Sequence, residues 1–285
     1  MPELIPFEPA EPTKLRRLEI TSDTVELTAR VGKKIVVDEI LASGAKYVDI
    51  YVGTRCLIRV PLAINDCKFS PAPGEGAPSY GIMNFIRKYL KDIYITVPEG
   101  QKLTLKFDTT PSKATLYYYE LNKDESIGEE WSGAIEEQPI FFFVTHSQAV
   151  SATATYKFDT AVMPTGFLEV KDGFVFPANV EFELKILAFG AKASGSTEFT
   201  HLHIWAQDVE LFTPDDHKGI AVATANNELK FDITKNQAFM LSTPYVYKPG
   251  YKILLTGDAT YDGSNTLAAN SAMVVLGGIL RRATR

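Results

Sequence analysis

The sequence is short of the residues that most often build reactive centres. It holds two cysteines, Cys56 and Cys67, and four histidines in 285 residues. Two thiols cannot make the disulfide framework of a small secreted domain. They could meet across a hairpin, but separate, reduced and buried thiols are the expected state where no export signal is visible. Neither lies near a histidine in sequence, so no thiolate–imidazole pair is suggested. Positive charge is also scarce: 29 Lys and Arg stand against 35 Asp and Glu, for a formal net charge of −6. Such a balance supplies no general cationic coat for phosphates, and sequence-specific nucleic-acid binding is not expected. Only the end, "LRRATR", is a basic cluster, suited to an acidic neighbour or an anionic surface. Long apolar runs are missing too. The longest near the end, "AMVVLGGIL", is about half of the ~20 residues that a membrane-spanning helix needs, and a soluble protein is expected.

Several catalytic signatures are absent as well. There is no G-x-S-x-G elbow for a nucleophilic serine. The glycines of "LTGDATYDGSN" come without the lysine and following helix of a phosphate loop. Glycoside hydrolysis by a carboxylate pair stays open, because the critical separation is spatial. The first residues, "MPELIPFEPAEPTKLRR", carry four prolines and several acids where a secretory signal has a basic start and an apolar run, so no export signal is expected. Residues 1–16 read as an extended arm that gains order only by lying on something, such as a neighbouring subunit, or else as a disordered tail.

What the sequence does have is period-two alternation. "DTVELTAR", "KKIVVDEIL", "KYVDIYVG", "CLIRVPL", "IYITV", "KLTLKF" and "ATLYYYEL" are short runs rich in β-branched and aromatic residues, separated by turn formers. The polar, acidic stretch "NKDESIGEEWSGAIEEQP" then reads as a loop and the best boundary. Strands resume with "IFFFVTH", "AVSATATYKF", "FLEVKDGFVF", "VEFELKILAFGA", "FTHLHIWAQDVELF" and further runs to "AMVVLGGIL". Open sheets rarely exceed about ten strands, so this many fit two packed barrels better than one sheet. The expected fold class is all-β: two tandem β-sandwich or jelly-roll barrels with one short helix, the first over 17–130 and the second over 131–285, or one barrel inserted in the other. The helix is predicted in "SYGIMNFIRKYLKDIYI", where Ile82, Ile86, Tyr89, Leu90 and Ile93 share a face and Ser79 is available as a cap. A faint echo, "LKFDTT" (105–110), "YKFDTA" (156–161) and "LKFDIT" (229–234), has no fixed period. It reads as a strand ending in an Asp turn used three times, with duplication of a barrel as the alternative.

Two constellations suggest chemistry. In "TEFTHLHIWAQDVELF" (197–212), His201 and His203 lie two apart on a predicted strand. Residues at that spacing project from one face about 6.8 Å apart, close enough to ligate one ion. "GSTEFTHLH" resembles the first cupin motif, and His217, Glu198, Asp208 or Glu210 could complete a site. The match fails where cupins place an early carboxylate, a nearby glycine and a later histidine: Gly219 comes late and no histidine follows His217. An ordinary strand is the preferred reading, and no catalytic, cofactor or metal-binding residue is assigned. The tyrosines of "LYYYEL" (Tyr117 to Tyr119) and "PYVYKPGY" (Tyr245, Tyr247, Tyr251) could stack sugar rings; packing or a subunit contact is preferred.

The stretches "KYVDIYVGTRCLIRVPLAI" and "NQAFMLSTPYVYKPGYKILLTGDA", with the loop "FSPAPGEGAPSYG" between early strands, resemble jelly-roll virus major capsid proteins. They look most like the larger capsid protein of the tailless, membrane-containing icosahedral Thermus phages, the sphaerolipovirus-like group. The resemblance covers nearly the whole chain in texture, without a signature motif. It implies a non-enzymatic virion protein, made in the host cytoplasm, that tiles an icosahedral shell. Its implied partners are copies of itself, a second smaller capsid protein and an internal membrane vesicle, and it implies no cofactor. The alternative is a cupin-like metal-binding or carbohydrate-binding β-sandwich.

Overall fold

The computed structural model describes residues 14–64, 67–68, 82–133, 135–161, 174–176, 178–191, 193–211, 220–221 and 239–282. Among these the chain is all-β apart from one short helix. Most of the extended arm, Ser79, the proline-rich loop, His217, Gly219, the third K-F-D echo and the last three residues lie outside the described residues. The described residues form two compact units. The first takes those up to Ala63 and from Lys68 to Ile140; the second takes Ile64, Cys67 and those from Phe141 onward.

The first unit contains β1 (Leu15–Ile20), β2 (Thr24–Thr28), β3 (Lys33–Ser43), β4 (Tyr47–Val52) and β5 (Arg55–Pro61). The two-residue β6 (Ala63–Ile64) and β7 (Cys67–Lys68) pair with each other. Then come α1 (Ile82–Tyr89), β8 (Tyr94–Val97), β9 (Lys102–Phe107), β10 (Lys113–Asn122) and β11 (Glu130–Trp131). Its pairs nest: β1 with β10, β2 with β9, β3 with β8 and β4 with β5, all antiparallel. This is one long hairpin rolled up on itself, and the roll is closed by β10 against β3 and β9 against β4. Two sheets result, ordered β1-β10-β3-β8-β11 and β2-β9-β4-β5. That strand order is the jelly roll.

The second unit follows the same scheme. It contains β12 (Glu137–His146), which starts in the first unit, β13 (Ala154–Ala161), β14 (Phe174–Val175), β15 (Val180–Ala191) and β16 (Glu198–Ala206). After these come β17 (Val209–Leu211), β18 (Ile220–Ala221), β19 (Phe239–Tyr247), β20 (Lys252–Thr260) and β21 (Ala272–Arg282). Here β12 neighbours β21, β13 pairs β20, β15 pairs β19 and β16 pairs β17. The roll closes through β15–β21 and β16–β20. Unlike the first unit, its two halves stay joined through β12 and β13, giving one curled sheet ordered β17-β16-β20-β13-β12-β21-β15-β19. The barrel plan therefore occurs twice, although the K-F-D echo does not mark it. The first echo lies at the end of β9, next to last in its roll, and the second in β13, second in its roll.

Each core follows from the strand patterns. β3 is buried along nearly its whole length, as a strand covered on both faces must be. In the second unit Phe141, Phe142 and Phe143 are all buried, with Phe142 and Phe182 edge to face at 5.0 Å between ring centres. Each such ring contributes roughly 1.5–3 kcal/mol by leaving water. At Gly278 in β21, a Cβ would collide with the Glu183 carbonyl of β15, so only glycine fits. The acidic stretch expected as a loop is pinned to the first unit. β11 pairs in parallel with β8, Trp131 is buried, and Lys34 and Lys91 pair with Glu130 and Glu129. Lysines opposite its acids explain why this charged segment packs.

Candidate functional site

"THLHIWAQDVEL" does not run as one strand. β16 ends at Ala206, and Gln207, at φ 56°, starts a two-residue turn that folds β17 back along it. Non-glycine residues seldom adopt that backbone region, and no Gly, Asn or Pro announces the turn at Gln207. The fold-back decides the site, because it brings Glu210 beside His203 instead of farther along the same strand.

The register of β16 slips between Phe199 and His201, where His201 stands opposite Asp258 of β20. His203 lies opposite Thr256 and reaches Asp258 diagonally. Its Nδ1 is 2.5 Å from Glu210 Oε1 and its Nε2 is 3.1 Å from Asp258 Oδ2. The Thr155 hydroxyl of β13 donates to the other oxygen of Asp258 at 2.5 Å. His201 bears on Asp258 electrostatically and meets Thr200 Oγ1 at 3.1 Å. The sequence pair is thus brought together around one carboxylate. Asp208 is exposed at the turn, and Glu198 sits opposite Thr260.

Both ring nitrogens of His203 face ionisable oxygens that accept when ionised. Both contacts are hydrogen bonds only if both nitrogens carry protons, so the array favours the imidazolium. Burial alone would lower the affinity of His203 for a proton, but Glu210 and Asp258 outweigh it and hold the ring above its ordinary value. Burial likewise opposes ionisation of Asp258, and Thr155 and His203 overcome it, keeping that carboxyl below the usual range. A metal would have to displace one of these carboxylates from nitrogen. Among the described residues, no group of three His, Cys, Asp or Glu is arranged to hold an ion. Nor is this a nucleophilic triad, because the Thr155 hydroxyl is bonded to the acid rather than to the imidazole. What the array can do is hold a proton that ties β13, β16, β17 and β20 together.

His146, outside both constellations singled out in the sequence, behaves in the opposite way. It is fully buried at the end of β12, against the rings of Phe158 and Phe199. The backbone amide of Ala272 can only donate, and it points at Nε2 from 3.1 Å. The proton therefore sits on Nδ1, 2.7 Å from the Gln148 carbonyl. Burial pushes this imidazole below its ordinary value and keeps it neutral.

Tyr119 and Tyr247 are fully buried and their neighbours Tyr117, Tyr118, Tyr245 and Tyr251 half-buried. Cys56 is a free, half-buried thiol, pushed up to about 12 by burial and by Asp49, so it is a poor nucleophile.

No protein-family model and no curated protein matches the chain. Among solved structures, the infectious bursal disease virus VP2 subviral particle is similar at 10% identity over 95% of this chain and 76% of that chain, with a TM-score of 0.24. A likeness at that score carries no argument about the fold or the role of this chain.

Proposed function

We propose that the chain is a structural virion protein, a major capsid protein that tiles an icosahedral shell through contacts between its barrels. The supporting observation is the strand order: two rolled hairpins in one chain, with β10 seated between β1 and β3 in the first and β21 between β12 and β15 in the second. Jelly rolls of this kind serve viral capsids, and also lectins and cupins, so the fold alone does not choose. The quoted sequence stretches favour the capsid reading. They also carry its finer form, a larger capsid protein with a smaller capsid partner above a lipid vesicle. The cupin alternative is disfavoured by the two carboxylates that engage His203.

Assembly is the activity to test. Light scattering coupled to size-exclusion chromatography is expected to show discrete high-mass species as salt is varied or as vesicles are added. A monomer under every condition, together with retention on a glycan column or stoichiometric metal, would replace the capsid reading with the sandwich alternative.

A further inference from the structure

The first unit buries an acid pair that neither of the constellations singled out in the sequence included. Asp38 and Glu39 sit in the middle of β3, at 1% and 0% exposure. The pairing of β3 with β10 slips there: Tyr117 stands opposite Glu39 and Tyr118 opposite Val37, leaving Asp38 as the extra residue of a bulge. A bulge lets neighbouring side chains escape strict alternation, and both acids serve α1. Glu39 accepts the amide of Met83 at 2.9 Å through Oε1 and that of Asn84 at 3.0 Å through Oε2. It thereby caps the helix from a distant strand; Oε1 also takes the amide of Ile40. Arg87 reaches back from α1 to the Asp38 carbonyl at 2.9 Å, and its guanidinium is 3.7 Å from the Asp38 carboxylate.

The charges around this anchor do not balance. Facing the two carboxylates are Arg87, Asn84 and the helix amides from α1, Tyr94 of β8 beneath the guanidinium at 4.6 Å, and Tyr119 of β10, which hydrogen-bonds Asp38. Asp92, in the segment before β8, bears on Tyr94. Among these groups Arg87 is the one cation. Asp38 Oδ2 is buried with no hydrogen-bond partner among the described residues. An unpaired buried charge is far costlier than a neutral acid. We infer that docking of α1 on β3 is proton-linked: the Asp38–Glu39 pair keeps one proton while the helix is docked and gives it up when the helix leaves. Burial raises both acids, Asp38 to about 6 and Glu39 to about 7, against the opposing pull of Arg87.

The consequence has a definite sign. An acid raised in the docked state favours docking below its free value, and that advantage is lost as the pH rises through the docked value. Between about pH 5 and 7 the opening equilibrium of α1 should therefore rise by up to about tenfold per pH unit, then level off. Amide hydrogen exchange of the full chain reads this directly, as protection factors for Met83, Asn84 and Leu90, whose amide bonds Ile86 within the helix. Amides of the β4–β5 pair report opening of the whole unit. The expected result is a steep loss of protection in α1 across that window with the β4–β5 reference flatter. In Asp38→Asn one of the two buried acids is gone and a single carboxylate faces Arg87, so the slope should fall below that of wild type; Glu39→Gln gives the same fall if the first variant does not fold. Wild-type α1 protection that is constant from pH 5 to 8, that only tracks the reference, or that keeps its slope in a folded variant would overturn the inference.

Discussion

His203 Nε2 lies 3.1 Å from Asp258 Oδ2 across the β16–β20 pair, while its other nitrogen meets Glu210 of β17. One imidazolium thus bridges three strands of the second unit. Because its folded value is raised, its stabilisation is complete below the ordinary value of about 6.5 and is lost as the pH rises through the folded one. Replacing His203 with Gln, which cannot be charged, should cost about 1–3 kcal/mol at pH 6 and progressively less toward pH 8. Urea denaturation of wild type and variant from pH 5.5 to 8.5 measures the difference. A cost that is equal at both ends of that range would show that the array does not hold a proton.

His146 predicts the reverse within the same unit. Its folded value is depressed, so its contribution is present above about pH 6.5 and is lost as the pH falls through the folded value. Nitrogen-detected NMR should find the Nδ1–H tautomer, with the ring still neutral at pH values where an exposed histidine is charged. A resonance titrating near 6.5 would contradict the burial and the Ala272 contact.

Asp49 and Arg59 face each other across β4 and β5 and are joined by two bonds of 2.7 and 2.8 Å, with the guanidinium 3.8 Å above the Tyr47 ring. Both are buried. Asp49→Ala leaves a buried cation without its carboxylate and should cost about 3–5 kcal/mol, whereas Asp49→Leu with Arg59→Met should come close to wild type. Chemical denaturation of the two variants separates the worth of the pair from the cost of breaking it.

Tyr247 packs against Phe176 and Phe182, and its hydroxyl is buried without a hydrogen-bond partner among the described residues. Tyr247→Phe removes that hydroxyl and keeps the ring. It should be neutral or raise stability by about 1 kcal/mol, read as a higher urea midpoint. A loss of stability would mean that the hydroxyl is bonded.

Local pattern explains why so much of this fold was legible. Alternation and short apolar runs are properties of neighbouring residues, so β4, β9, β10 and β15, and the continuously buried β3 and β12, stand where the sequence predicts strands. Helix α1 likewise follows from the helical spacing around Ile86, which is buried, although it ends at Tyr89, short of Leu90 and Ile93. What alternation cannot encode is pairing. Gln207 carries no turn signal, so the reversal that places Glu210 against His203 was hidden in an apparent single strand. Glu39 caps α1 from more than forty residues away, and its only trace in the sequence is a pair of acids inside an apolar strand. The packing of the acidic stretch on the first unit is equally hidden, because its lysine partners Lys34 and Lys91 lie far off in the chain. Two tandem barrels follow from the number of strands, whereas the strand order that the two share lies in pairing rather than in the K-F-D echo.

Shell building, as proposed for this two-barrel chain, is read by negative-stain microscopy of the purified protein. Incubated alone and with lipid vesicles across salt and pH, it is expected to form regular arrays, closed particles or ordered coats on the vesicle surface. Dispersed single molecules of one size under all of these conditions, with bare vesicles beside them, would contradict it.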